Sequence, residues 1–231
     1  MQPFISDCTK VGTLELPAFS GTRVMMLPLI LGDAETIPDD MSHWKQCLSR
    51  LFQWVLPELQ GRVGYLTIDE KTVPAGETHR RAGLHVDGVY RDKANNSCGS
   101  WGGGGVWGGS GSGGSWGGSN RGTPAYGMMT VSNPAGCVAY RGIFDGIPGD
   151  NGECEHLREQ LSDAECVALG PNEVWQVGAM CVHESVPQRM TTTRQFVRLS
   201  MPSNGPWFEG YTVNPKGVLP TGPILPRRQF M

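Results

Sequence analysis

The segment His85-Val86-Asp87-Gly88 brings together two residue types that bind metal ions. In an extended strand the side chains at positions i and i+2 point the same way, so His85 and Asp87 would converge on one spot. An imidazole and a carboxylate in one place suit a divalent cation. They equally suit an ordinary hydrogen bond, so other residues must distinguish the two interpretations.

His183 is the histidine that best completes such a site, because it ends an apolar run and a polar turn follows it. His43 and His156 lie in helical segments as surface or packing residues, and the polar surroundings of His79 predict an exposed side chain. Two histidines and one carboxylate on one face of an octahedron leave the other face open, which favours non-haem Fe(II) oxygen chemistry. The seven cysteines have no CxxC spacing, which argues against a structural zinc site such as a zinc ribbon.

Two arginines follow His183 at positions where a strand would turn both of them inward. In the segment RQFVRLS, Arg194 and Arg198 come 11 and 15 residues after the histidine and share one face of a predicted strand. A buried guanidinium requires an anionic partner. That partner is either a ligand carboxylate held by the planar fork or a structural Asp or Glu, and both alternatives remain open.

The order HxD, a long gap, His and then Arg after 11 residues resembles the Fe(II)/2-oxoglutarate-dependent oxygenase superfamily. The spacing is similar to that of the phytanoyl-CoA hydroxylase and taurine dioxygenase types. His183-Glu-Ser-Val-Pro is similar to the His-x-Ser-x-Pro around the distal ligand of the phytanoyl type, and Arg198-Leu-Ser200 to the Arg-x-Ser of another branch. The similarity covers about Leu84 to Ser200 as a pattern.

The resemblance implies a hydroxylating dioxygenase that releases succinate and CO2. His85, Asp87 and His183 would bind Fe(II), and Arg194 would hold the distal carboxylate of 2-oxoglutarate. Arg198 is the alternative for that role, or an anchor for the substrate. O2 would be the oxidant and ascorbate a reductant. The substrate would be a small molecule or a side chain of unidentified structure.

The elements that must position these residues are mostly short strands. Trp44, Leu48, Leu51, Phe52 and Val55 recur at helical spacing within residues 41–55, and a weaker helix is predicted for 154–169. Strands are predicted at 22–30, 64–69, 84–87, 126–132, 137–144, 173–181 and 195–201. This pattern predicts a mainly β protein with flanking helices, a jelly roll (double-stranded β-helix, cupin-like).

The whole chain, 1–231, is predicted to be a single domain with a strand-helix support at about 20–60. Between Gly99 and Gly118, 12 of 20 residues are glycine, interrupted by three tryptophans. Such a segment buries too little to offset its chain entropy, so a flexible Gly/Trp-rich loop is predicted at about 97–122. It is either a surface insertion or a cover for the site.

Composition limits the other functional classes. The formal net charge is −3, so nucleic acid is neither indicated nor excluded as a partner. No apolar run approaches a membrane span and no secretory signal is visible, which predicts an intracellular, cytoplasmic protein with free thiols. Two alternatives to the oxygenase stay open: a cupin-type metalloenzyme that does not use 2-oxoglutarate, and a non-catalytic jelly-roll binding module.

Overall fold

The computed structural model describes residues 3–87, 127–149, 152–203 and 205–226, together with the backbone of 90–92 and 97–99. In these ranges the chain is mainly β. The strands are β1 (Pro3–Ser6), β2 (Cys8–Thr13), β3 (Arg23–Ile30), β4 (Val63–Val73), β5 (Tyr90–Asp92), β6 (Ser97–Gly99), β7 (Met128–Asn133), β8 (Cys137–Asp145), β9 (Glu165–Ala168), β10 (Glu173–Val177), β11 (Val182–Ser185), β12 (Thr192–Ser200), β13 (Trp207–Phe208) and β14 (Ile224–Leu225).

The main helix is α1 (Ser42–Leu51), which Phe52–Trp54 continues as a 3₁₀ turn. Further 3₁₀ helices occupy Ala34–Thr36, Asp39–Met41, Pro57–Leu59 and Glu155–Asp163. No helix in the described ranges is long and apolar enough to cross a membrane.

Two antiparallel sheets make up the body of the protein. The larger sheet has the order β2-β10-β7-β12-β4-β3. In the smaller sheet β8 pairs with β1, β9 and β11. Side chains alternate between the two faces of each strand, so each sheet presents one set of residues to its partner and another set outward.

The largest apolar core lies between α1 and one face of the larger sheet. Trp44, Cys47, Leu48 and Leu51 form the buried stripe of the helix. They belong to one buried cluster with apolar residues of β3, β4, β7 and β12. The amphipathic helix predicted within 41–55 and the strand predicted at 22–30 are both confirmed.

The opposite face of the larger sheet carries charged side chains. Val197 and Leu199 of β12 pack into the core, whereas Arg194, Phe196 and Arg198 alternate with them and line a cavity. The cavity also contacts β8 and β11 of the smaller sheet. The two arginines therefore share the inward face that their spacing predicted.

Two predicted elements are wrong in detail. Residues 154–169 form a 3₁₀ helix followed by strand β9, which pairs with β8, so the second half of the expected helix is sheet. Residues 84–87 form no strand, and only His85 makes a β-bridge. Hydrogen bonds to residues far along the chain hold both segments, and such contacts leave no local pattern in the sequence.

Most of the predicted Gly/Trp-rich loop at 97–122 lies outside the described residues. Its first residues, Ser97–Gly99, pair as β6 with β5 in an antiparallel hairpin.

Candidate metal centre

The structure brings His85, Asp87 and His183 together, although 98 residues separate the two histidines. The backbone does this directly. His85 N donates to His183 O at 3.0 Å, and His183 N donates to His85 O at 2.9 Å. This bridge joins the residues around His85 to strand β11 and places the two imidazole centroids 4.3 Å apart.

The segment that carries His85 is also held from its other side. Val86 N donates to Gly152 O, and Cys154 N donates to Leu84 O, both at 2.8 Å. Glu155 Oε2 accepts from Leu84 N at 3.0 Å. The chain around His85 is thus fixed between β11 and residues 152–155, without being part of a regular strand.

In both histidines, Nδ1 is the ring nitrogen that contacts a backbone carbonyl. His85 Nδ1 lies 2.7 Å from Gly83 O, and His183 Nδ1 lies 2.9 Å from Cys181 O. A carbonyl only accepts, so each Nδ1 must carry a proton, and in the neutral ring the lone pair is then on Nε2. A backbone acceptor on the far nitrogen is the usual orienting contact of a metal-binding histidine.

The charge states also suit a cation. Burial, followed by the nearby His183, lowers the pKa of His85 to about 4, so its ring is neutral at neutral pH. Burial works against ionisation of Asp87, but the nearby guanidinium of Arg198 and the two adjacent imidazoles outweigh it. The pKa of Asp87 is therefore held well below its usual range. Metal ligands must be deprotonated, and these two groups are.

The ligand atoms of the three residues lie within 4.8 Å of one another. Nitrogen and oxygen ligands bind first-row divalent ions at about 2.1 Å, and neighbouring ligands on one face of an octahedron then lie about 3.0 Å apart. Side-chain adjustments of up to about 1 Å for each ligand atom would bring the three atoms onto one ion. The donor set and its spacing therefore fit a two-histidine, one-carboxylate centre.

Arg198 reaches the same centre. Its Nη1 donates to Asp87 Oδ2 at 3.1 Å, and that oxygen lies 3.8 Å from His183 Nε2. Its Nη2 lies 3.5 Å from the sulfur of Met26, and its Nε is buried without an acceptor among the residues described. One of the two inward arginines thus has a structural carboxylate partner beside the candidate metal.

Arg194 lies deeper and is only 1% exposed. Its Nε donates to Pro134 O, its Nη2 to Ser132 Oγ and its Nη1 to His79 Nδ1, each at 2.9 Å. All three acceptors are uncharged groups when His79 is neutral. Arg194 makes no carboxylate contact within the described part of the chain, and burial lowers its pKa to about 10.

Both arginines and all three candidate ligands line one cavity of about 180 Å³ between the two sheets. Met128, Leu169, Val177 and Phe196 supply apolar wall, and Arg80 and Arg81 add positive charge. The cavity therefore joins a candidate cation site to a cationic wall, which is an arrangement suited to a small anion that also touches the metal.

Comparison with protein-family models, curated proteins and solved structures finds no match to this chain. The interpretation of the centre therefore depends on its own geometry.

The sequence pattern missed His79 and its neighbour Asp69. The polar stretch around His79 predicted exposure, but the side chain is 0% exposed and lies 3.2 Å from Asp69 Oδ2. His79 precedes Arg194 by 115 residues. A buried position in an irregular segment follows no periodicity, so no local pattern predicts the burial of His79. The only available signal was that Asp69 lies on the inward face of its strand.

Proposed function

We propose that this protein is a non-haem Fe(II)- and 2-oxoglutarate-dependent dioxygenase that hydroxylates a C–H bond of its substrate. One observation carries the proposal. The cavity that holds the free Nε2 atoms of His85 and His183 is also lined by Arg194, a fully buried guanidinium without a carboxylate partner in the described ranges. A small dianion that chelates the metal and ends in a second carboxylate would complete both features.

The strand order supports a double-stranded β-helix for this enzyme. Strands β10, β7, β12 and β4 are neighbours in the larger sheet. In the smaller sheet β9 and β11 both pair with residues 137–141 of β8, and β11 is bridged in turn to His85. Two sets of four segments, with successive segments mostly alternating between them, is the order expected of a jelly roll.

The residues that line the cavity would bind either the metal or the 2-oxoglutarate, according to where each of them lies. His85, Asp87 and His183 would hold Fe(II) on one face and leave its other face open. When bound, the iron and 2-oxoglutarate supply dioxygen activation coupled to oxidative decarboxylation, with succinate and CO2 as the by-products. Arg194 would bind the distal carboxylate of 2-oxoglutarate through its fork.

Arg198 has a different place in this proposal. Its contact with Asp87 keeps that carboxylate ionised and oriented beside the metal. The apolar wall formed by Met128, Leu169, Val177 and Phe196 would exclude water around the reacting groups. The two arginines therefore differ in their distance from the candidate metal centre. Arg198 contacts one of the three candidate ligands, and Arg194 contacts none of them.

Anaerobic titration with Fe(II) and then 2-oxoglutarate tests the proposal. We expect one Fe(II) per chain and, after 2-oxoglutarate is added, a visible metal-to-ligand charge-transfer band. Arg194→Met should keep the iron affinity and weaken 2-oxoglutarate binding by about tenfold or more, because a charge-assisted contact is lost. Arg198→Met is the matched variant, and a larger effect there on 2-oxoglutarate would exchange the roles of the two arginines.

The same titration separates the alternatives. Stoichiometric metal binding without any response to 2-oxoglutarate would indicate a cupin-type metalloenzyme instead. Absence of stoichiometric metal binding would leave a jelly-roll binding module.

A further inference from the structure

His79 is enclosed between two charged residues, Asp69 and Arg194, of which Arg194 lines the cavity. Its Nδ1 lies 2.9 Å from Arg194 Nη1, and its Nε2 lies 3.2 Å from Asp69 Oδ2. The ring meets Phe196 edge-on, with centroids 6.3 Å apart.

The hydrogen-bond roles in this contact follow from the chemistry of arginine. A guanidinium only donates, so His79 Nδ1 must accept. A neutral imidazole then carries its proton on Nε2, on the side of Asp69. Burial and next the charge of Arg194 lower the pKa of His79, against the raising effect of Asp69. The ring is therefore a neutral acceptor at neutral pH.

A neutral acceptor and a carboxylate differ in their effect on the charge of Arg194. It fixes the rotation of the guanidinium without neutralising its charge, so the charge remains available for a ligand. Each terminal nitrogen of Arg194 uses one N–H, Nη1 on His79 and Nη2 on Ser132. The other N–H on each terminal nitrogen has no acceptor among the described residues, so two N–H groups remain for the carboxylate of a ligand.

The chain leaves room for this arrangement at Gly136. A Cβ atom at Gly136 would lie 2.8 Å from Arg194 Nε, too close for a real contact. The guanidinium donates to Pro134 O in the turn from β7 to β8, to Ser132 Oγ on β7 and to His79 Nδ1, and it lies 5.8 Å from the ring centroid of Phe196. Among the described residues, His79 supplies the hydrogen bond from outside β7 and this turn.

We propose that His79 is a positioning residue, which orients the guanidinium of Arg194 to bind the carboxylate of an anionic ligand. The inference rests on the proposed function in taking that ligand to be 2-oxoglutarate. Asp69 stands behind the ring as the counter-charge, which it shares with Arg80 at 3.1 Å. Its separation from Arg194 by the width of an imidazole keeps the arginine unpaired.

Three variants of the full chain test the role of His79 through its acceptor atom. Asn places an amide oxygen near the position of Nδ1, Gln places its amide near the position of Nε2, and Phe keeps the ring shape without an acceptor. We expect His79→Asn to bind 2-oxoglutarate within about threefold of the unchanged protein in the Mn(II)-loaded form. His79→Phe and His79→Gln should bind it about tenfold more weakly.

Metal affinity and the melting temperature of each variant are measured alongside. If His79 had only a structural role, the variants would have a lower melting temperature and His79→Asn would not restore 2-oxoglutarate binding. This result would overturn the proposal. Equal affinity of His79→Phe and the unchanged protein for 2-oxoglutarate would overturn it as well.

A second measurement does not depend on 2-oxoglutarate. Nitrogen-15 NMR of the metal-free protein should show His79 with an unprotonated Nδ1 and a protonated Nε2 at neutral pH, and Arg194→Met should change the Nδ1 signal. A protonated Nδ1 would overturn the role of His79 whatever the ligand is. If the ring has the expected form but the unchanged protein binds no 2-oxoglutarate, the proposed function fails while the His79–Arg194 pair stands.

Discussion

At the scale of single residues, each histidine of the candidate centre divides its ring between two tasks. Nδ1 is committed to a backbone carbonyl two residues earlier in the chain, Gly83 for His85 and Cys181 for His183. The same local contact recurs in two unrelated segments, and in both it leaves Nε2 available.

Replacing His183 should therefore abolish specific metal binding. We expect His183→Ala to lose stoichiometric Mn(II) or Fe(II) binding, since two of three ligands cannot hold the ion at micromolar levels. His156→Ala is the matched control, because His156 is exposed and lies on the 3₁₀ helix outside the site. Calorimetric titration of both variants makes the comparison. Unchanged metal binding by His183→Ala would contradict the assignment.

At the scale of elements, the site depends on how one irregular segment is clamped. Gly152 has φ +76°, in the left-handed region, and a Cβ on it would lie 2.0 Å from Val86 O. That carbonyl belongs to the residue between His85 and Asp87. The glycine therefore permits the close approach that holds the two candidate ligands in place.

Gly152→Ala should consequently weaken metal binding by displacing the His85–Asp87 segment. Gly217→Ala is a matched control, because Gly217 has φ +80° and open space around its Cβ position. Both variants carry the backbone strain of about 1 kcal/mol, but only the first has the collision. In chemical unfolding experiments we expect both variants to lose stability, Gly152→Ala more than Gly217→Ala because of the collision, and we expect metal affinity to fall only in Gly152→Ala. Equal metal affinities would show that the clamp is dispensable.

Helix α1 makes the protein sensitive to alkali through Cys47. Burial raises the pKa of this thiol from 9.0 to about 12. Above pH 9 the unfolded chain releases the proton while the folded chain keeps it, so the free energy of unfolding falls as pH rises from about 9 towards 12. The slope from this one group is at most about 1.4 kcal/mol per pH unit.

Urea unfolding between pH 8 and pH 10.5 measures this effect. Cys47→Ala should be less stable at pH 8 but lose less stability per pH unit above 9 than the unchanged protein. Parallel slopes for the two proteins would mean that other groups, such as the buried thiol of Cys154 with its raised pKa of about 12, account for the alkaline loss.

At the scale of the whole molecule, the apolar core and the charged cavity lie on opposite faces of the larger sheet. The largest apolar core lies between α1 and one face of the larger sheet, and the space between the sheets combines apolar side chains with buried charge. Arg80, Arg194 and Arg198 face this space with Asp69 and Asp87 as the paired carboxylates. A protein that buried these groups only for stability would do better with apolar side chains, so the charges favour a ligand-binding role.

Metal binding should accordingly stabilise the folded protein. At a free metal concentration about 100 times Kd, linkage adds about 2.7 kcal/mol, which raises the melting temperature of a protein of this size by several degrees. Thermal melts with and without Mn(II) measure the shift. His183→Ala should show none of it, and an equal shift in that variant would place the stabilising ion elsewhere.

Local patterns were enough to predict α1, β3 and the shared inward face of Arg194 and Arg198. These features depend on periodicity, because a helix buries every third or fourth residue and a strand every second one. The same rule was wrong for 154–169, where the helical spacing stops at Asp163 and sheet pairing with β8 takes over. It was also wrong for His79, whose burial comes from partners 10 and 115 residues away.

The sequence by itself therefore determined which residue types were available for a metal and an anion, and on which face of β12 the arginines lie. Only the tertiary structure decided that His85 and His183 are bridged through their backbones, that Arg198 takes Asp87 as its partner, and that Arg194 has no carboxylate partner among the described residues. The physical reason is that side-chain direction follows local backbone geometry, whereas contact partners are set by the pairing of strands distant in the chain.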